Sequence, residues 1–226
     1  MRTIGILGGM GPEATILLMQ RVLAAVPAAD DADHVPLIVH QNPQVPSRIA
    51  ALIDGGGADP APVLARMARD LQAAGAAALA MPCNTAHVYA AAITAACDLP
   101  LLNMLELTAA HLAARGARRI GLLASPAIRV TGVFDPAFAA RGLQAIYPRD
   151  DAPILSVIRA VKSGRSPDPA PLRDEAQALV GGGCDHLLVA CTELSLLTGA
   201  LPGAIPWTDS LDCLVAGIVA EAQREW

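Results

Sequence analysis

The sequence predicts an α/β protein made of two pseudo-symmetric open parallel-sheet domains with a cleft between them. Three observations predict it. Strand-like apolar runs alternate with amphipathic, alanine-rich segments from end to end, the pattern of parallel strands covered by helices on both faces. The first half of this series recurs in the second half at a period near half of the 226 residues, too long for a solenoid repeat. Two apolar runs also close on cysteines in matching frames, Met81-Pro82-Cys83-Asn84-Thr85 and Val189-Ala190-Cys191-Thr192-Glu193.

Taken in order, the first strand is the apolar run 2–8, which stops at glycines, with a helix near 12–26 opening at Pro12. The run 36–41 is the second strand, and 60–74 reads as a helix. The third strand, 77–82, closes on Cys83 and is followed by a helix near 85–96; the fourth spans 99–103 and leads to a helix near 105–115. The series then restarts with a strand at 118–124, a helix near 129–141, a strand at 143–147 and a helix near 151–162. A helix near 168–181, strands at 185–190 and 204–207, and a helix near 209–224 complete it. Ile4 aligns with Ile120, Cys83 with Cys191 and Asn103 with Thr208, at offsets of 116, 108 and 105. The expected division is 1–103 with a returning helix in 209–226 as one domain, and 104–208 as the other.

Composition narrows the function. A net charge of −5 without a basic run, and 3% aromatic residues, argue against a nucleic-acid surface. Mean hydropathy is +0.44, yet charges, glycines and prolines interrupt the apolar stretches before a bilayer-spanning length of roughly 20 residues. The apolar N-terminal run is too short for a signal-peptide core, so the expected compartment is the cytoplasm. The five cysteines include no C-x-x-C pair and are expected to be reduced thiols there. The remaining histidines, 34, 40, 111 and 186, have no metal-ligand spacing, so no metal is expected. Small molecules are the expected partners.

Ligands of open α/β sheets bind outside the carboxyl ends of the strands. A symmetric pair of domains would therefore turn Cys83 and Cys191 toward one cleft. There one thiolate removes a Cα proton from one face of an amino or hydroxy acid, and the other thiol delivers a proton to the opposite face. Each cysteine reads as a strand end opening into a helix, where outward N–H groups are expected to lower the thiol pKa. Cys97, Cys184 and Cys213 read as packed thiols. Lys162 is the only lysine beside fifteen arginines, a hint that a compact ammonium is needed there.

Three blocks now carry a resemblance: Ile4-Gly5-Ile6-Leu7-Gly8-Gly9-Met10-Gly11-Pro12-Glu13-Ala14-Thr15, Met81-Pro82-Cys83-Asn84-Thr85-Ala86-His87, and Ala190-Cys191-Thr192-Glu193-Leu194-Ser195-Leu196-Leu197. In this order they resemble the cofactor-independent aspartate/glutamate racemase superfamily, aspartate racemase branch. The resemblance implies pyridoxal-free racemisation by two cysteines in the cleft of a two-domain homodimer, without any cofactor. It also implies that Arg48, on the proline-punctuated loop Asn42-Pro43-Gln44-Val45-Pro46-Ser47-Arg48, and Lys162 anchor carboxylates.

Gly8-Gly9-Met10-Gly11-Pro12-Glu13-Ala14 also fits a dinucleotide fingerprint, but Pro12 removes an amide, and His40-Gln41-Asn42 stands where a ribose-binding acid is expected. The loop reads as a tight turn lining the cleft and offering amides to a substrate, with Met10 and Glu13 as lesser candidates. Asn84, Thr85 and Thr192 are candidates for the α-carboxylate, Asn84 and Thr85 doubling as helix caps. Glu193 is a candidate for tuning Cys191 or binding the substrate ammonium, and His87 for capping or packing. The resulting expectation is a racemase of aspartate, and possibly glutamate. Its rivals are maleate cis/trans isomerisation or arylmalonate-type decarboxylation in the same superfamily, and a non-catalytic binder of acidic metabolites.

Overall fold

The computed structural model of the protein describes residues 1–201, 203 and 205–224. The first half contains β1 (Ile4–Gly8), α1 (Pro12–Ala25), β2 (Leu37–Gln41), α2 (Arg48–Leu52), α3 (Ala61–Ala73), β3 (Ala78–Ala80), α4 (Ala90–Thr94) and β4 (Leu101–Leu102). Then come α5 (Met104–Ala114), β5 (Arg119–Ala124), α6 (Pro126–Thr131), α7 (Asp135–Ala139), β6 (Gln144–Ile146), α8 (Ala152–Lys162), α9 (Ala170–Gly181), β7 (His186–Ala190), β8 (Trp207–Asp209) and α10 (Ser210–Ala222).

Two all-parallel four-stranded sheets result, ordered β2-β1-β3-β4 and β6-β5-β7-β8. They form two α/β domains of the same winding, as the repeat predicted. Even the registers superimpose: Gly5 pairs with Leu79 in one sheet, and Gly121 with Leu187 in the other. Both glycines are there for space. A Cβ on Gly5 would lie 2.9 Å from Ala76 Cβ and 3.2 Å from Leu71 Cβ; one on Gly121 would lie 3.0 Å from Cys184 Sγ and 3.2 Å from Leu179 Cβ. Helices α3 and α9 therefore approach their sheets through equivalent gaps. Gly121→Ala is expected to destabilise by about 1–3 kcal/mol through overpacking, measured by urea unfolding.

Each sheet is covered on both faces. On the first, Ile4, Ile6 and Ala80 pack with Leu18 of α1 and Leu211, Leu214 and Ile218 of α10, while Leu7 and Leu79 pack with Leu64, Met67 and Leu71 of α3. On the second, Ile120 and Leu122 meet Leu112 of α5 and Phe134 and Phe138, while Leu123 and Val189 meet Ile154 and Ile158 of α8 and Leu172 and Leu179 of α9. Burial on both faces explains the apolar runs of β1 and of Leu187, Leu188, Val189 and Ala190 in β7. The chain's last helix thus returns to the first sheet. It also meets α5, its counterpart in the repeat: a Cβ on Gly217 would lie 2.6 Å from Leu107 Cδ1. Among the described residues, no helix is long and apolar enough to cross a membrane.

Some expectations are corrected. Leu79 faces Leu101 and Leu187 faces Trp207, so the last strands align at an offset of 106 (207 − 101), and Asn103 matches Asp209, not Thr208. Both are N-caps, Asn103 Oδ1 accepting from Leu105 N–H and Asp209 Oδ1 from Leu211 N–H, each at 2.9 Å. The strand expected at 204–207 lies at Trp207–Asp209 instead, and residue 204 is outside the described residues. The helix expected near 129–141 is two short helices, because Gly132 caps α6 with φ +58°. The cysteine frames open into 3₁₀ turns, Thr85–Tyr89 and Leu194–Ala200, not into α-helices. Arg48 begins α2 rather than lying in a loop, since Ser47 Oγ accepts from Ala50 N–H at 3.3 Å and starts the helix.

Candidate active site

The carboxyl ends of the two sheets border a cleft of about 530 Å³. Cys83 lies just beyond β3 and Cys191 directly after β7; both line this cleft, and they are 8% and 7% exposed. Asn84, Thr85, Thr192 and Glu193 line it beside them, with Arg48 from α2 and Lys162 from the end of α8. Val45, Ile158 and Val161 make part of the wall apolar. Met10 is not in that wall. Its side chain is buried in the core with Leu7 and Met67, and its carbonyl accepts from Arg48 Nη2 at 3.1 Å.

The Gly-rich turn before α1 is built tightly. A Cβ on Gly9 would lie 2.4 Å from the Asn42 carbonyl carbon, and Gly9 has φ +93°, a conformation suited to glycine. Its N–H donates to Thr15 Oγ1 at 2.9 Å, so this amide is already used within the turn. That overturns part of the expectation that the turn offers its amides to a substrate.

Arg48 is held by backbone carbonyls, with Nη1 donating to Pro46 O at 3.0 Å and Nη2 to Met10 O. Among the described residues, its Nε is buried without a partner. Asn84 does not cap the turn that follows it. Its Nδ2 donates to Ser210 Oγ, which donates to Val189 O, each at 2.9 Å, tying the Cys83 loop to β7 through the start of α10. Thr192 ties the halves in the other direction, its hydroxyl donating to Pro82 O at 3.2 Å. Asn84 Oδ1 is buried and unpartnered among the described residues.

Glu193 bridges two candidates: its Oε1 accepts from Lys162 Nζ, and its Oε2 accepts from Cys191 Sγ at 3.1 Å. Burial would lower the Lys162 pKa, but attraction from Glu193 and from the sulfurs of Cys191 and Cys83 outweighs it and leaves the ammonium favoured. For Cys191, burial is the leading influence, the Glu193 carboxylate adds to it, and the thiol pKa lies well above its ordinary value despite Lys162. The expectation that the strand end lowers this pKa is therefore overturned. Desolvation outweighs the outward amides.

His87 takes a packing role beneath Cys83. Its Nε2 accepts from Met104 N–H at 3.1 Å, which puts the ring proton on Nδ1, 2.9 Å from Cys83 O. Burial pushes its pKa down to about 4, so the ring is neutral. Sequence reasoning missed Ser125, which lines the cleft after β5. The repeat held the signal, because Gly9 and Ser125 stand at the same offset as Ile4 and Ile120.

Paired parallel sheets of identical winding, with thiols, a carboxylate and two cations around one shared cleft, define a two-domain α/β protein with a polar cleft. The Asp/Glu/Hydantoin racemase family matches residues 7–218, and the chain belongs to that family. This bears out the superfamily resemblance. The fold matches an aspartate racemase of Picrophilus torridus with TM-score 0.85 and 27% identity, covering 100% of this chain and 96% of that one. The broad specificity amino-acid racemase RacX of Bacillus subtilis is 26% identical, covering 96% of each chain. A glutamate racemase of Aquifex pyrophilus, at 16% identity and TM-score 0.66, covers 97% of this chain and 83% of its own and shares the fold.

Proposed function

We propose that the protein racemises an acidic amino acid, aspartate first and glutamate next, with Cys83 and Cys191 as the two acid–base groups and no cofactor. The observation that carries this is the placement of two cysteines at equivalent strand ends of two matched sheets, around one cleft. One sulfur takes the Cα proton while the other delivers a proton from the opposite face. Arg48 and Lys162 anchor the carboxylates, and Asn84, Thr85 and Thr192 steady the charge that develops as the Cα–H bond breaks. The similarity to an aspartate racemase supports the substrate.

In the same proposal the chain divides at 1–103 with 209–226 and at 104–208, works as a homodimer, and acts in the cytoplasm. The Lys162–Glu193 pair and the broad-specificity relative favour testing amino acids with uncharged side chains as well. Incubating reduced protein with L-aspartate in heavy water is expected to yield D-aspartate carrying deuterium at Cα, followed by chiral chromatography and NMR. Failure to invert any amino acid of a panel would remove the proposal.

A further inference from the structure

The two cysteines occupy equivalent places but have different neighbours. Counting from each sulfur, Thr85 stands where Glu193 stands. Glu193 accepts the Cys191 thiol proton at 3.1 Å, and Lys162 from the end of α8 fastens the same carboxylate through its other oxygen. The Glu193 side chain is only 7% exposed, so water does little to screen it from the sulfur. Among the described residues, no carboxylate accepts a hydrogen bond from Cys83.

Resting on the racemase reading, we propose that Glu193 is a positioning residue that keeps Cys191 as the protonated thiol of the resting site, leaving Cys83 as its base. A thiolate at Cys191 would lose its hydrogen bond to Oε2 and face a negative carboxylate in a buried setting. Burial and Glu193 both act against that charge, and Lys162, already committed to Glu193, offsets it only in part.

The protons balance in each turnover. Cys83 S⁻ takes the Cα proton and becomes a thiol, while the Cα carbanion takes the Cys191 proton and leaves a thiolate. The released enzyme then carries its proton on the other sulfur. Return to rest moves one proton from Cys83 to Cys191 by way of solvent, downhill because of Glu193. The opposite enantiomer needs this second form, so the two directions start from unequally populated enzyme.

Alkylation of the substrate-free protein tests the assignment. Iodoacetamide reacts with thiolates, and the two cysteine residues are similarly exposed overall, so peptide mass spectrometry over a series of pH values compares their protonation. In the wild type, Cys83 is expected to label roughly tenfold or more faster than Cys191 at mildly alkaline pH, because only Cys191 donates to a buried carboxylate. Glu193→Gln keeps the shape, removes the charge and frees Lys162. It is expected to speed Cys191 labelling by about tenfold or more and to change Cys83 labelling far less. Lys162→Met is expected to shift Cys191 labelling to still higher pH.

Equal labelling of the two sulfurs in the wild type, or an unmoved Cys191 profile in folded Glu193→Gln, would overturn the assignment. Neither result depends on turnover. An expected labelling pattern in a protein that inverts no amino acid would instead remove the racemase reading and keep Glu193 as the residue that holds the Cys191 proton.

Discussion

Cys191→Ala is expected to lower the rate of aspartate racemisation by about two to four orders of magnitude, the range contributed by a positioned acid or base, and Cys83→Ala by a similar factor. Each sulfur serves one face of Cα, so the survivor can still complete one proton transfer but not the pair. The double variant should therefore be little worse than either single one, because groups acting as a unit are not additive. Chiral chromatography measures the rate, and thermal unfolding checks the fold. Both side chains sit at the cleft wall, where removing a sulfur enlarges an existing opening. Retention of more than about a tenth of the wild-type rate by either variant would exclude a two-thiol mechanism with contributions of this size. A decarboxylase needs only one protonating thiol, and a binder needs neither, so full activity loss from both single variants separates the racemase from those rivals.

The parts legible in the sequence were those governed by local burial. Sheets covered on both faces produce near-continuous apolar strands such as β1 and β7, and α8 repeats its buried positions, Ile154, Val157, Ile158 and Val161, at helical spacing. The repeat then located the cysteines at matching strand ends. Short elements escaped where they hold too few residues to show a period: α2 spans only Arg48–Leu52.

The electrostatics escaped for another reason. Lys162 and Glu193 are 31 positions apart and meet only because α8 packs beside β7. Without that contact, Cys191 read as a thiol activated by amides, although burial and an adjacent carboxylate push it the other way. Arg48 was legible as a cation near the site, but not as one whose Nη groups are held by the carbonyls of Met10 and Pro46.

Arg21→Met is expected to destabilise the protein by about 3–5 kcal/mol, the cost of stripping a buried charge of its partner. Arg21 lies on α1 of the first half, and its Nη1 donates to Asp209 Oδ2 at 2.6 Å. Asp209 has a fully buried side chain, which also accepts from Ser195 Oγ at 2.8 Å and from Leu211 N–H. Arg21 Nη2 reaches Ser195 O at 3.1 Å, so one guanidinium clasps α1 to the turn that follows Cys191 and to the cap of α10.

Burial raises the Asp209 pKa, and Arg21 is the main influence opposing it. A carboxylate with a raised folded-state pKa favours the fold while protonated, below its ordinary value, and that contribution fades as pH rises through the raised value. Removing Arg21 lifts the pKa further, so the deficit should be greatest near neutral pH and shrink on acidification. Asp209→Asn added to Arg21→Met should recover much of the loss at neutral pH, because an amide keeps an acceptor for Leu211 N–H without carrying a charge. Urea unfolding of both variants at neutral and mildly acidic pH measures this. A deficit independent of pH and untouched by Asp209→Asn would show that Arg21 acts through packing of its aliphatic stem, not through the buried charge.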